Sequence, residues 1–122
     1  MRDIKINGKK IGPKSPIFLI AEAGVNHNGQ LSIAKKLIDI AYKVKVDAIK
    51  FQTFITENLI LKGAPKVKYQ KRSEDDDENF FEMIKKYEFS KNDFKILKEY
   101  CSEKGIIFLS TPFDETSVRW LE

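Results

Sequence analysis

The chain has 122 residues, 42% of them hydrophobic, which suits one globular unit and argues against disorder or a fibrous repeat. Its 22 basic and 18 acidic residues leave a net charge of +4 and are interleaved throughout, so there is no basic stripe for nucleic acid and at most a preference for small anions. The one cysteine, Cys101, excludes an intrachain disulfide framework, residues 1–10 are too polar for a signal peptide, and no apolar run approaches the roughly 20 residues that cross a bilayer; cytoplasm is the default compartment.

Residues 4–11 read I-K-I-N-G-K-K-I, two short alternating runs around Asn7-Gly8, and predict a β-hairpin, because Asn-Gly supplies the positive φ angles of a two-residue turn. After Pro13 and Pro16, the continuous apolar run 17–21 predicts a first core strand covered on both faces. An amphipathic helix is predicted over 31–44, with Ile33, Leu37, Ile40 and Val44 on its apolar face beside Ala34, Ile38 and Ala41. Strand patterns recur at 48–51 and 106–109. The stretch 56–71 has no period and reads as a connecting loop. Phe80, Met83, Ile84 and Tyr87 suggest a short helix, with the acidic run 75–78 near its positive end. Ser90-x-x-Asp93 resembles a capping box opening a helix that carries Phe94, Leu97 and Cys101 and stops at Gly105. A further helix begins after Thr111-Pro112-Phe113-Asp114. The alternation of buried strands with helices predicts an α/β fold with a parallel sheet and right-handed crossovers. Three such strands neither close a barrel nor cover their own edges.

In parallel α/β folds ligands bind beyond the carboxyl ends of the strands. Those ends present Glu22 and the loop Asn26-His27-Asn28-Gly29, then Lys50, Gln52 and Thr53, then Ser110, Thr111 and Asp114. Lys50 interrupts an apolar strand; it is read either as an anion contact or as the ion-pair partner of Glu22, with a Schiff-base lysine as a third option. Glu22 could orient a hydroxyl or move a proton, or simply neutralise Lys50. His27, the only histidine, is read as a hydrogen-bonded organiser of its loop before a metal ligand. Ser110 and Thr111 could donate to an anion or cap the next helix. Tyr69 and Gln70 fall in the polar loop, and Cys101 on an apolar helix face.

Three segments, Ile20-Ala21-Glu22-Ala23-Gly24-Val25-Asn26-His27-Asn28-Gly29, Asp47-Ala48-Ile49-Lys50-Phe51-Gln52-Thr53-Phe54 and Leu109-Ser110-Thr111-Pro112-Phe113-Asp114, resemble the sialic acid synthase family from residue 17 onward, including the Ala64-Pro65-Lys66-x-x-Tyr69-Gln70 loop. The likeness is to N-acetylneuraminate and legionaminate synthases before pseudaminate synthases. It implies a (β/α)₈ TIM barrel followed by an antifreeze-like domain in a domain-swapped homodimer; residues 17–122 would then be about the first three β/α units, behind a hairpin at 1–12. It also implies condensation of phosphoenolpyruvate with an N-acylated amino sugar, to give a nine-carbon 2-keto sugar acid and phosphate. Glu22 would be the active-site glutamate, Lys50 the phosphoenolpyruvate-binding lysine and Thr111 a phosphate contact, with Gln52 and Ser110 as further substrate contacts and Asn26, His27 and Asn28 in a site loop. A divalent cation, Mn2+ or Mg2+, is implied with its ligands beyond Glu122, so the 122 residues alone are expected to be inactive. The rival readings are another TIM-barrel aldolase or keto-acid synthase, which borohydride trapping at Lys50 would reveal, and a non-catalytic binding module.

Overall fold

The computed structural model describes residues 3–62, 65 and 79–122. Ile4–Ile6 (β1) and Lys9–Ile11 (β2) form an antiparallel hairpin with Ile4 opposite Ile11. Asn7 and Gly8 take φ of 45° and 82°, the paired positive angles that let a two-residue turn follow the strand twist. Asp47 ties the hairpin to the body: one oxygen accepts from Lys9 Nζ at 2.6 Å, the other from the Leu19 N–H at 2.7 Å. The Lys9 bond and then the Leu19 amide hold the Asp47 carboxyl below its ordinary pKa.

Ile20–Gly24 (β3), Ala48–Thr53 (β4) and Ile107–Pro112 (β5) make a parallel sheet in the order β3-β4-β5, with Leu31–Lys43 (α1) and Lys91–Lys104 (α4) as the crossover helices. Thr56–Leu59 (α2), Phe80–Lys85 (α3) and Glu115–Leu121 (α5) complete the described elements. Successive strand residues point to opposite faces, so Ala21, Ala23, Ile49, Phe51 and Phe108 meet Ala34, Ile38, Leu97 and Cys101 on the helix-covered face. Burial pushes the Cys101 thiol up to about 12, which removes its thiolate at neutral pH and leaves it a core residue. The Ser90–Asp93 capping box forms as read from the sequence. No described helix is long and apolar enough to cross a membrane.

Three expectations need correction. The first strand runs from Ile20 to Gly24 and not over 17–21, and Ile17, Leu19 and Ile20 are 82%, 52% and 46% exposed. β3 is an edge strand with helices on one face only, so the apolar run has no second layer to enter. On α1 the buried line is Ala34, Ile38 and Ala41, while Ile40 and Val44 stay exposed, because α4 and the sheet together cover a narrower arc than the apolar stripe offers. The supposed loop from 56 opens with a short helix, α2, whose N-terminus is held by a distant carboxylate that local periodicity cannot reveal. The acidic run 75–78, Tyr69 and Gln70 lie outside the described residues; α3 is capped by Asn79 and Glu82, which form a capping box.

Candidate active site

The face of the sheet away from the helices carries Ile20, Ala48, Ile107 and Leu109 low on the strands and Glu22, Lys50, Gln52 and Thr111 at their carboxyl ends. The pairing follows from register: Glu22 stands beside Lys50, Lys50 beside Leu109 and Gln52 beside Thr111. Lys50 Nζ is 2.5 Å from Glu22 Oε2 and donates to Thr111 Oγ1 at 3.0 Å. An ammonium has three donors and no acceptor, so Thr111 must accept, which leaves the threonine O–H and one Lys50 N–H available to a ligand. The Lys50 side chain remains 30% exposed and that of Glu22 51%, so both can be reached.

Glu22 is aimed by its own strand. Its Oε1 accepts from the Gly24 N–H at 3.0 Å, at a register irregularity where Gly24 adopts φ 52°. That left-handed angle favours glycine and bends the strand end back over the carboxylate. The Gln52 amide also approaches Gly24, where a Cβ would sit 3.6 Å from Glu22 Oε1 and 3.8 Å from Gln52 Nε2. What results is a cation, a carboxylate, an amide and a hydroxyl on one accessible surface, able to neutralise an anion and to orient polar groups beside it.

Ser110 and His27 are placed elsewhere. Alternation turns Ser110 to the helix side, where its hydroxyl meets Thr53 Oγ1 at 2.6 Å and borders a cavity of about 680 Å³ lined also by Phe94, Phe108 and Trp120. His27 is fully buried, stacked on Phe89 with ring centroids 3.9 Å apart and tilted against Phe51. Its Nδ1 accepts from the Gly29 N–H at 3.1 Å, so the neutral ring carries its proton on Nε2, which has no partner among the described residues. Desolvation lowers the His27 pKa to about 4. Asn26 and Asn28 are exposed in the same turn, Asn28 with φ 52°.

Two carboxylates that the sequence reading gave no such role brace the strand ends. Asp114 accepts from the Ile55 N–H at 2.9 Å, Asn58 at 3.1 Å, and the Ser117 N–H and Oγ at 3.0 and 2.6 Å. Burial works to raise its pKa, but the Ser117, Ile55 and Asn58 bonds outweigh it and hold the carboxyl below the ordinary range. Glu88 accepts from the Thr56 N–H and Oγ1 at 2.8 and 2.7 Å. An Asp before a helix signals a cap and could have flagged Asp114; Glu88, 32 residues from Thr56, left no local trace. Among the described residues no group of three or more His, Cys, Asp or Glu could hold a metal ion.

The NeuB family model matches residues 37–122. N,N'-diacetyllegionaminic acid synthase of Legionella pneumophila is 45% identical over 118 residues, which are 96% of this chain and 33% of that protein. Human N-acetylneuraminate-9-phosphate synthase is 32% identical over 93% of this chain and 32% of its own length. The crystal structure of an N-acetylneuraminic acid synthetase from Leptospira borgpetersenii, in complex with citrate, superposes with a TM-score of 0.76 at 37% identity, covering 98% of this chain and 37% of that one. This chain thus spans about a third of the length of the relatives it matches, and it belongs to the NeuB family.

Proposed function

We propose that these residues supply the first three β/α units of a synthase that condenses phosphoenolpyruvate with an N-acylated amino sugar, N-acetylmannosamine or a diacetylated relative. In the reaction C3 of phosphoenolpyruvate bonds to the aldehyde carbon of the open sugar, and water adds at the phosphate-bearing carbon. Loss of phosphate then leaves the nine-carbon 2-keto sugar acid. The observation that carries this reading is the contact of Lys50 with both Glu22 and Thr111 at adjacent strand ends.

Lys50 offsets the charge of the phosphate or carboxylate, and Thr111 donates its free O–H to the same anion. Glu22 holds Lys50 upright and turns its exposed edge toward the sugar hydroxyls, with Gln52 beside it. Ser110 and His27 take no direct contact here, because both sit on the helix-covered side. An ion-paired ammonium suits charge neutralisation better than Schiff-base chemistry, which needs a desolvated free amine. The divalent cation, Mn2+ or Mg2+, the rest of the sugar pocket and the homodimer contacts would come from residues outside these 122, which alone are then inactive. The cytoplasm, where phosphoenolpyruvate is made, is the matching compartment.

Isothermal titration of phosphoenolpyruvate into the chain and its Lys50→Ala variant tests the reading. Saturable binding that the variant loses supports it. Equal binding by both proteins, or trapping of a pyruvate adduct at Lys50 by borohydride, overturns it.

A further inference from the structure

The Lys50 to Thr111 bond is diagonal. Lys50 is level with Leu109 and Thr111 with Gln52, so the 3.0 Å distance depends on how far β5 rises past β4 at its carboxyl end. Strand pairing stops at Thr53 and Pro112. Ile107 and Phe113 both direct their N–H toward β4, to the carbonyls of Asp47 and Thr53. By alternation the N–H that Pro112 lacks would face the other edge, and β4 loses nothing to the proline. Beyond Phe113 the next link between the two segments is the Asp114 carboxylate on the Ile55 N–H.

We infer that Asp114 is a positioning residue, which locks the end of β5 to the β4–α2 turn and thereby keeps Thr111 Oγ1 within hydrogen-bond reach of Lys50 Nζ. The inference rests on reading Lys50 and Thr111 as an anion site. Capping α5 alone would not need a carboxylate, because Asn or Ser caps a helix about as well. Here two oxygens serve four donors: Oδ1 takes the Ser117 N–H and Asn58, while Oδ2 takes Ser117 Oγ and, from 59 residues away, the Ile55 N–H. An asparagine amide could keep the cap but would set a second donor against the Ile55 N–H, so Asp114→Asn separates the two roles. Glu88 is the matched control. It braces the same turn at Thr56, yet from the α3 side, with no link to β5.

The test is the hydrogen exchange of the Lys50 ammonium, read by NMR on the isotope-labelled chain, with Thr111→Val marking what loss of the bond looks like. Exchange in Asp114→Asn should rise about tenfold to the Thr111→Val level, the equivalent of one lost hydrogen bond, while Glu88→Gln keeps the wild-type rate. Wild-type exchange in a folded Asp114→Asn protein, an equal rise in Glu88→Gln, or no protection in the wild type would each overturn the inference. A titration with inorganic phosphate runs beside it. If phosphate fails to bind the wild type while the exchange pattern holds, the anion-site reading falls and the positioning role stands; if phosphate binds and Asp114→Asn leaves both affinity and exchange unchanged, the positioning role falls alone.

Discussion

On the helix-covered face of the sheet, His27, Phe51, Phe89 and Phe94 close into an aromatic layer that excludes water, while on the opposite face the same three strands end in Glu22, Lys50, Gln52 and Thr111, with the charges of Glu22 and Lys50 still accessible. Each β4 residue contributes to one side or the other, Phe51 to packing and Lys50 to the polar cluster. The covered face therefore carries most of the packing and the open face the accessible polar groups, and substitutions should sort accordingly.

The largest effect is expected at Gly29, which joins the loop after β3 to the covered side. It has φ 69°, and a Cβ there would lie 2.0 Å from the Lys86 carbonyl oxygen, so Gly29→Ala should cost at least about 3 kcal/mol in urea unfolding. His27 comes next. Its folded pKa of about 4 lies below the 6.5 of an unfolded histidine, so the unfolded chain binds the extra proton in that interval. Stability is then complete above pH 6.5 and falls as pH approaches 4, by about 3 kcal/mol. His27→Gln should remove that component of the slope, as the difference between the two proteins' pH–stability curves; parallel curves would refute the assignment. On the open face, Lys50→Ala should change unfolding stability by about 1 kcal/mol or less, as for other half-exposed pairs, while under the proposed function it should abolish anion binding.

The smallest expected effect is a gain. α1 and α4 end in the same motif: the Val46 N–H reaches Ala41 O and the Lys45 N–H Tyr42 O, just as the Ile106 N–H reaches Cys101 O and the Gly105 N–H Ser102 O. The left-handed position is Gly105 in one and Lys45, at φ 60°, in the other. Lys45→Gly should stabilise by up to about 1 kcal/mol, and a loss by thermal unfolding would show that the lysine side chain matters more than its backbone strain.

Much of this could be read before any coordinates. Asn7-Gly8 sets a hairpin because few residues tolerate two positive φ angles, and Ser90-x-x-Asp93 caps a helix because both of its bonds are local. The apolar runs at 48–51 and 106–109 marked β4 and β5, and the strand ends marked Glu22, Lys50 and Thr111. The first strand, Ile20–Gly24, is not legible in this way, since an apolar run of that kind says nothing about whether a second layer covers it. Ser110 and Thr111 looked equivalent as neighbours in a polar turn. One residue of alternation sends their hydroxyls to opposite faces, and only the register of β5 on β4 decides which meets Lys50.

By itself, then, the sequence determined the local geometry, the α/β alternation and the family, all of which depend on residues close together in the chain or on motifs matched one by one. Only the tertiary structure decided that Lys50 touches Glu22 and Thr111 together, that His27 is buried beneath Phe89, and that Asp114 and Glu88 brace the β4–α2 turn. Those contacts join residues 28 to 62 positions apart. Nothing in a local pattern specifies which strand lies beside which, or how far one has slid along the other, until the sheet is assembled.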